Sequence, residues 1–240
     1  MTQRLAGRTT LVTGSTTGIG AAIAAALAAE GAFVVVSGRD ERRGAEVVER
    51  IEKDGGAAAF VKADLSAGAD VIDRFAADAV AAAGGRIDVL VNNAALLLAP
   101  TPTAEVTQGT IDEALAVSVR SMFLLTGRLA PAMAERGRGA VVNLGSNNGM
   151  RGMAQMALYS MTKAAVHSLT ASWAAEYGPQ GVRVNTVAPG PTLTEKVAAM
   201  EELLAPIIAG MPSGRAGSPA EVAAAVVFLA SDEASQIHGA

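Results

Sequence analysis

Tyr159 and Lys163 stand four residues apart in the run Tyr159-Ser160-Met161-Thr162-Lys163. On a helix this spacing sets both side chains on one face, an ammonium beside a phenol. An isolated phenol, with a pKa of about 10, is a poor proton donor or acceptor near neutrality. A neighbouring Lys⁺ stabilises the phenolate and brings that pKa down. The chemistry on offer is proton transfer to or from an oxygen. The same pair would sit equally well on an ordinary exposed helix, so its meaning depends on the elements that position it.

Those elements alternate. Short β-branched runs at 9–13, 33–37, 58–63, 88–92, 140–144 and 182–187 are apolar throughout, as strands buried on both faces are. Between them, segments 19–30, 42–53, 71–83, 111–134 and 158–177 are long enough for crossover helices. This order predicts a single α/β domain over residues 1–240, a Rossmann-like, doubly wound parallel sheet with helices on both faces. Such sheets bind ligands beyond the carboxyl ends of their strands, where strand order reverses. Directly after the first strand comes Thr13-Gly14-Ser15-Thr16-Thr17-Gly18-Ile19-Gly20, opening a helix. Gly14 permits a tight turn, Gly18 lets backbone approach a pyrophosphate, and Gly20 allows close helix packing, with the helix N-terminus favouring phosphate charge.

Composition narrows the field. The 240 residues are half apolar and carry a net charge of −4 with both signs interspersed, so no basic face advertises nucleic acid or an anionic membrane. No cysteine is present and the histidines are two, His167 and His238, which excludes disulfides, thiolate metal sites and a histidine-rich metal site. No metal is expected. The N-terminal residues lack a secretory pattern and no apolar stretch approaches membrane-spanning length, which predicts a cytoplasmic protein with small-molecule partners.

Taken together, the motifs resemble the short-chain dehydrogenase/reductase family in its compact single-domain form. The resemblance rests on the glycine motif, Asp64-Leu65, Asn92-Asn93-Ala94, Ser146, Tyr159 with Lys163, and Pro189-Gly190 followed by Thr194. It implies an oxidoreductase that moves a hydride between a nicotinamide dinucleotide and a ketone or secondary alcohol. Tyr159 would be the acid/base, Ser146 would hydrogen-bond the reacting oxygen, and Lys163 would hold the nicotinamide ribose and lower the Tyr159 pKa. The cofactor would lie along Gly14, Thr17, Gly18, Ile19 and Gly20, with Asp64 and Leu65 at the adenine. Asn92 and Ala94 would support the fourth strand's end, and Pro189, Gly190, Thr192 and Thr194 would hold the carboxamide side.

Three positions depart from the family pattern. Ser118 replaces an asparagine whose backbone holds a water next to the lysine, which predicts a less kinked helix and slower proton exchange. Ala95 replaces a glycine, tolerable if its φ is negative. The residues up to Ala240 end where relatives usually continue into a final strand, so the sheet is expected to lack that strand. After the second strand, Gly38 stands where NAD-preferring relatives carry an acid, and Arg39 follows; this favours NADP(H), unless Arg39, Arg42 and Arg43 merely open a solvated helix balanced by Asp40 and Glu41.

A substrate lid is expected over 192–213, where Met200, Leu203, Leu204, Ile207 and Ile208 fall at helical spacing, with Leu96 to Leu98, Met150, Met153 and Met156 as further pocket candidates. His167 is expected to pack or face solvent. Resemblance also implies a homodimer or homotetramer through 111–134 and 158–177. Two other functions fit the sequence: a dinucleotide-binding protein of low catalytic activity, suggested by Ser118, and a β-ketoacyl thioester reductase.

Overall fold

The computed structural model describes residues 3–198 and 201–240. Six parallel strands form one sheet in the order β3-β2-β1-β4-β5-β6: β1 Thr9–Val12, β2 Phe33–Gly38, β3 Ala57–Lys62, β4 Val89–Asn92, β5 Gly139–Leu144 and β6 Val182–Val187. Strand order reverses between β1 and β4, which pair directly with Leu11 opposite Leu90. The helices are α1 Gly18–Ala29, α2 Glu41–Lys53, α3 Ala69–Ala82, α4 Gln108–Leu115, α5 Ser121–Glu135, α6 Ala157–Tyr177, α7 Glu195–Ala198, α8 Glu201–Ala209 and α9 Pro219–Ala230.

Because successive strand residues face opposite ways, each strand feeds two cores. Val12, Val34, Val36, Val91 and Val142 pack with Ile23 and Leu27 of α1, Val47 and Ile51 of α2, and Val226 and Val227 of α9. Leu11, Val35, Leu90, Val141 and Val184 pack on the other face with Phe75 of α3, Leu125, Leu129 and Met133 of α5, and Val166 and Trp173 of α6. The sandwich anchors every strand end that the glycine turn and α6 must meet.

Two expectations change. The edge strand β3 is only half buried, not covered on both faces as its apolar run predicts. The single helix expected over 111–134 is divided into α4 and α5 by a π-helical turn at Ala116–Arg120. Ser118 lies in that turn, so serine does not straighten the helix. No seventh strand is present among the described residues; the last ones run beside β6, with Gly239 N–H donating to Val184 O (2.9 Å) and Thr186 N–H to Ala240 O (2.7 Å).

Candidate active site

The chain leaves β1 through Gly14 at φ 62 and reaches α1 through Gly18 at φ 56, left-handed conformations that glycine adopts without steric cost. A Cβ on Gly20 would lie 2.3 Å from the Gly14 carbonyl oxygen, so the motif's third glycine is required by contact. The Thr17 side chain makes no hydrogen bond to the first turn of α1, which leaves those N–H groups without a side-chain cap, as an anion-binding helix start requires. Asn93 braces the turn from β4: its Nδ2 donates to Thr13 O (2.9 Å) and Gly14 O (3.0 Å). The Thr13 hydroxyl in turn accepts from the N–H groups of Asn93 (3.0 Å) and Ala94 (3.1 Å).

A cleft of about 290 Å³ opens above this turn. Gly14, Thr17, Arg39, Asp64, Leu65, Ala94 and Tyr159 line it, all expected from sequence, as does Gly38, singled out there as the position deciding cofactor choice; Thr16, Asn93 and Glu113 join them without having been expected. Asp64 accepts from the Ser66 N–H (3.0 Å) and hydroxyl (2.7 Å), and these bonds, with Arg39 nearby, hold its carboxyl below the usual range. Around Arg39 the other charges are matched: Arg43 with Asp40 (3.5 Å), Lys62 with Glu41 (2.8 Å), and Arg42 with Glu46. Among the described residues Arg39 has no such partner, so the balanced, solvated cluster accounts for its neighbours and not for it.

Ser146 caps the short turn Asn147–Gly149 beyond β5, its Oγ accepting from the Asn148 N–H (3.2 Å). Tyr159 enters from the first turns of α6; burial pushes its phenol up, and the Ser146 hydroxyl opposes that rise. Lys163 is 5% exposed, and burial lowers its ammonium to about 8. Its Nζ donates to Leu144 O (2.7 Å) and stands 5.8 Å from the Tyr159 ring centroid. The expected lowering of the phenol is thus not met in this arrangement, where desolvation dominates.

The other expected residues lie outside the lining of this cleft. Asn147 N–H donates to Pro189 O (3.2 Å), joining the Ser146 turn to the Pro189-Gly190 segment. Thr192 bridges Gly217, and a Cβ on Gly18 would meet the Thr194 methyl at 3.3 Å, so that segment folds back over the glycine turn. Ile19 packs beneath, against the α1 core. Asn92, at the end of β4, does not line the cleft: its amide is buried, donating to Asn143 Oδ1 (2.8 Å) and Thr126 Oγ1 (3.2 Å). Buried Ser118 accepts from the Leu96 N–H (3.1 Å), tying the π turn to the loop after β4. Ala95 has no positive φ; among the described residues only Gln155 (φ 63) does without being glycine. In the lid region Leu204, Ile207 and Ile208 are half-buried, while Met200 and the Leu203 side chain lie outside the described residues.

Sequence reasoning missed Asn93 as the brace, the Leu144 carbonyl as the Lys163 acceptor, and His167, whose Nε2 lies 3.1 Å from Ser146 O. Asn93 was readable, being next to Asn92 in the same motif. A backbone acceptor leaves no mark in residue types.

The fold and cleft define a dinucleotide-binding α/β protein of the Rossmann type. A family profile described as enoyl-(acyl carrier protein) reductase matches residues 14–240. The chain is 37% identical to D-threitol dehydrogenase of Mycolicibacterium smegmatis over 99% of its own length and 91% of that protein's, and 38% identical to acetoacetyl-CoA reductase of Allochromatium vinosum over 65% of its length. It spans 63% of the latter, and 63–64% of the two curated relatives of similar rank. Among solved structures, a short-chain dehydrogenase/reductase family protein superposes with TM-score 0.88 at 41% identity, covering 98% of this chain and 94% of that one. A 3-oxoacyl-(acyl-carrier-protein) reductase from Agrobacterium tumefaciens C58 with NADP bound superposes with TM-score 0.90 at 37% identity, covering 99% and 93%. The chain belongs to the short-chain dehydrogenase/reductase family. No helix among the described residues is long and apolar enough to cross a membrane.

Proposed function

We propose that the protein is an NADP(H)-preferring oxidoreductase acting on a ketone and secondary alcohol pair, chiefly as a carbonyl reductase. The observation that carries this reading is Tyr159, flanked by Ser146 and Lys163, lining the same cleft as Arg39 and Asp64. The residues fit a dinucleotide: Gly14 and Gly18, themselves without side chains, shape a turn that a pyrophosphate can approach, the first turn of α1 has no side-chain cap from Thr17, and Arg39, without an ion-pair partner among the described residues, suits a 2′-phosphate. When bound, the nicotinamide supplies or accepts the hydride. Asp64 and Leu65 would hold the adenine end, Pro189, Gly190, Thr192 and Thr194 the carboxamide end. Ser146 orients the substrate oxygen, and Tyr159 gives it a proton during reduction or takes one during oxidation. Lys163 stabilises the phenolate that remains.

Titration with NADPH and NADH, followed by turnover on a panel of ketones at the reduced-nicotinamide absorbance band, tests the proposal. NADPH binding with turnover is expected; no binding of either nucleotide overturns it.

Lys163 makes the rate depend on pH. Its ammonium is charged below about 8 and neutral above, so phenolate support is present at low pH and lost as pH rises through that value. Reductive kcat is expected to fall above pH 8, read from a pH–rate profile under saturating substrate; a profile flat to pH 9.5 contradicts the role given to Lys163.

Cofactor choice offers another test. A side chain at Gly38 would place its Cβ 2.7 Å from the Thr16 methyl and 3.0 Å from its hydroxyl, so Thr16 occupies the space that an acidic residue there needs. Gly38→Asp alone is expected to weaken NADPH binding by about tenfold or more without creating NADH affinity. The double change Thr16→Ala with Gly38→Asp is expected to bind NADH better than wild type, as measured by nucleotide fluorescence titration.

A β-ketoacyl thioester reductase is the second reading, supported by similarity to the acetoacetyl-CoA and 3-oxoacyl-(acyl-carrier-protein) reductases. A low-activity binding protein has less support, since Ser118 leaves the helix broken by a π turn and Ser146, Tyr159 and Lys163 are all present. Self-association as a homodimer or homotetramer is part of the proposal; exposed Leu115, Phe123 and Met161 on α4, α5 and α6 favour it.

A further inference from the structure

We infer that His167 is a positioning residue that sets Ser146 in register with Tyr159. Tyr159, Lys163 and His167 follow one another at intervals of four along α6, so they share one face of the helix. That face touches the end of β5 twice: Lys163 Nζ donates to Leu144 O at 2.7 Å, and His167 Nε2 meets Ser146 O at 3.1 Å.

A carbonyl only accepts, so Nε2 must carry the proton, which fixes the ring's tautomer when it is neutral. The imidazole is also held by shape. A Cβ on Gly145 would lie 2.8 Å from its Cε1, and one on Gly149 would lie 2.7 Å from its Cδ2. The two glycines that bracket Ser146 thus form the slot that the ring fills.

The other backbone–backbone bonds of the Ser146 turn come from within the turn or from the β6 end, as in Asn147 N–H to Pro189 O and Gly145 N–H to Val187 O (2.9 Å). His167 joins that turn to the helix that carries Tyr159. Its loss leaves both hydroxyls in place but frees their relative position, and displacements on the scale of 1 Å cost rates heavily.

This inference rests on the proton-transfer reading of Ser146 and Tyr159. Its test pairs His167→Leu, which fills space without a donor, with His167→Gln, whose Nε2 reaches a similar point and can donate to Ser146 O. His167→Leu is expected to lower kcat by about tenfold or more, with NADPH affinity unchanged, and His167→Gln to restore most of it. Turnover of His167→Leu within twofold of wild type overturns the inference, and so does a glutamine variant no better than the leucine one.

A second measurement needs no turnover. With two histidines in the chain, ¹⁵N spectra of wild type and His238→Gln assign the His167 ring. The Nε2–H form is expected, and an Nδ1–H form overturns the inference. A wild type inactive on every ketone would count against the proton-transfer reading alone, while the ring spectrum would still decide the His167 contact.

Discussion

Replacing Tyr159 with phenylalanine is expected to lower kcat by about 10²–10⁴-fold while leaving nucleotide affinity intact. The substitution removes one hydroxyl and keeps the ring that faces the cleft. Ser146 still sits at its turn, and Lys163 still donates to Leu144 O. What disappears is the group that can pass a proton to the substrate oxygen. Steady-state turnover with NADPH and a reactive ketone, beside a fluorescence titration of NADPH, separates the two effects. Unchanged kcat would place proton transfer elsewhere. Equal loss of turnover and binding would make Tyr159 a structural residue, and a low wild-type rate insensitive to the change would favour the binding-protein reading.

Gly20→Ala has the second large expected effect, and two opposing terms decide its sign. Alanine in a helix gains about 1 kcal/mol over glycine by propensity alone. Here its methyl would meet Gly14 O at 2.3 Å, Asn93 Nδ2 at 2.5 Å and Ser15 Cα at 2.9 Å. Two of those atoms are backbone, so relief requires moving the glycine turn itself; overpacking of this kind costs about 1–3 kcal/mol. The clash wins. Thermal unfolding should show a lowered Tm, and nucleotide titration an affinity reduced by about tenfold or more, because the displaced turn is the one that faces the phosphates. Gly109→Ala on α4 is the control. Its Cβ would meet no atom closer than 4.0 Å, and neither stability nor affinity should fall.

Both changes fall on residues that the sequence alone singles out, which locates where reading by type and spacing succeeds. Strand positions follow from runs such as 33–37 and 182–187, because β-branched residues packed between helix layers have few other uses. The glycine turn is legible because φ near +60° at Gly14 and Gly18 demands that residue. Apolar periodicity fails at 111–134. An Ala-rich stretch stays apolar on most faces, so the extra backbone turn at Ala116–Arg120 leaves no break in the pattern. It fails at β3 as well, since an edge strand and a central one can share the same composition. In the site, Tyr159, Lys163, Asp64 and Arg39 announce themselves by chemical type. The Lys163 and His167 contacts do not, because their acceptors are main-chain carbonyls that any residue would provide.

Asn92, Asn143 and Thr186 stand abreast on β4, β5 and β6, paired in register. Asn92 donates to Asn143, Asn143 donates to Thr170 of α6 (2.8 Å), and Thr170 meets Thr186 (2.6 Å). Valine against valine looks the same after a slide along the strand, so the apolar runs around this row are nearly silent about alignment. Slipping one strand by a residue would turn its amide or hydroxyl to the opposite face and strand the partner's buried polar atoms. A few letters in otherwise repetitive text thus carry the sheet's spelling, and they lie at the strand ends from which Ser146 and the Asn93 brace depart.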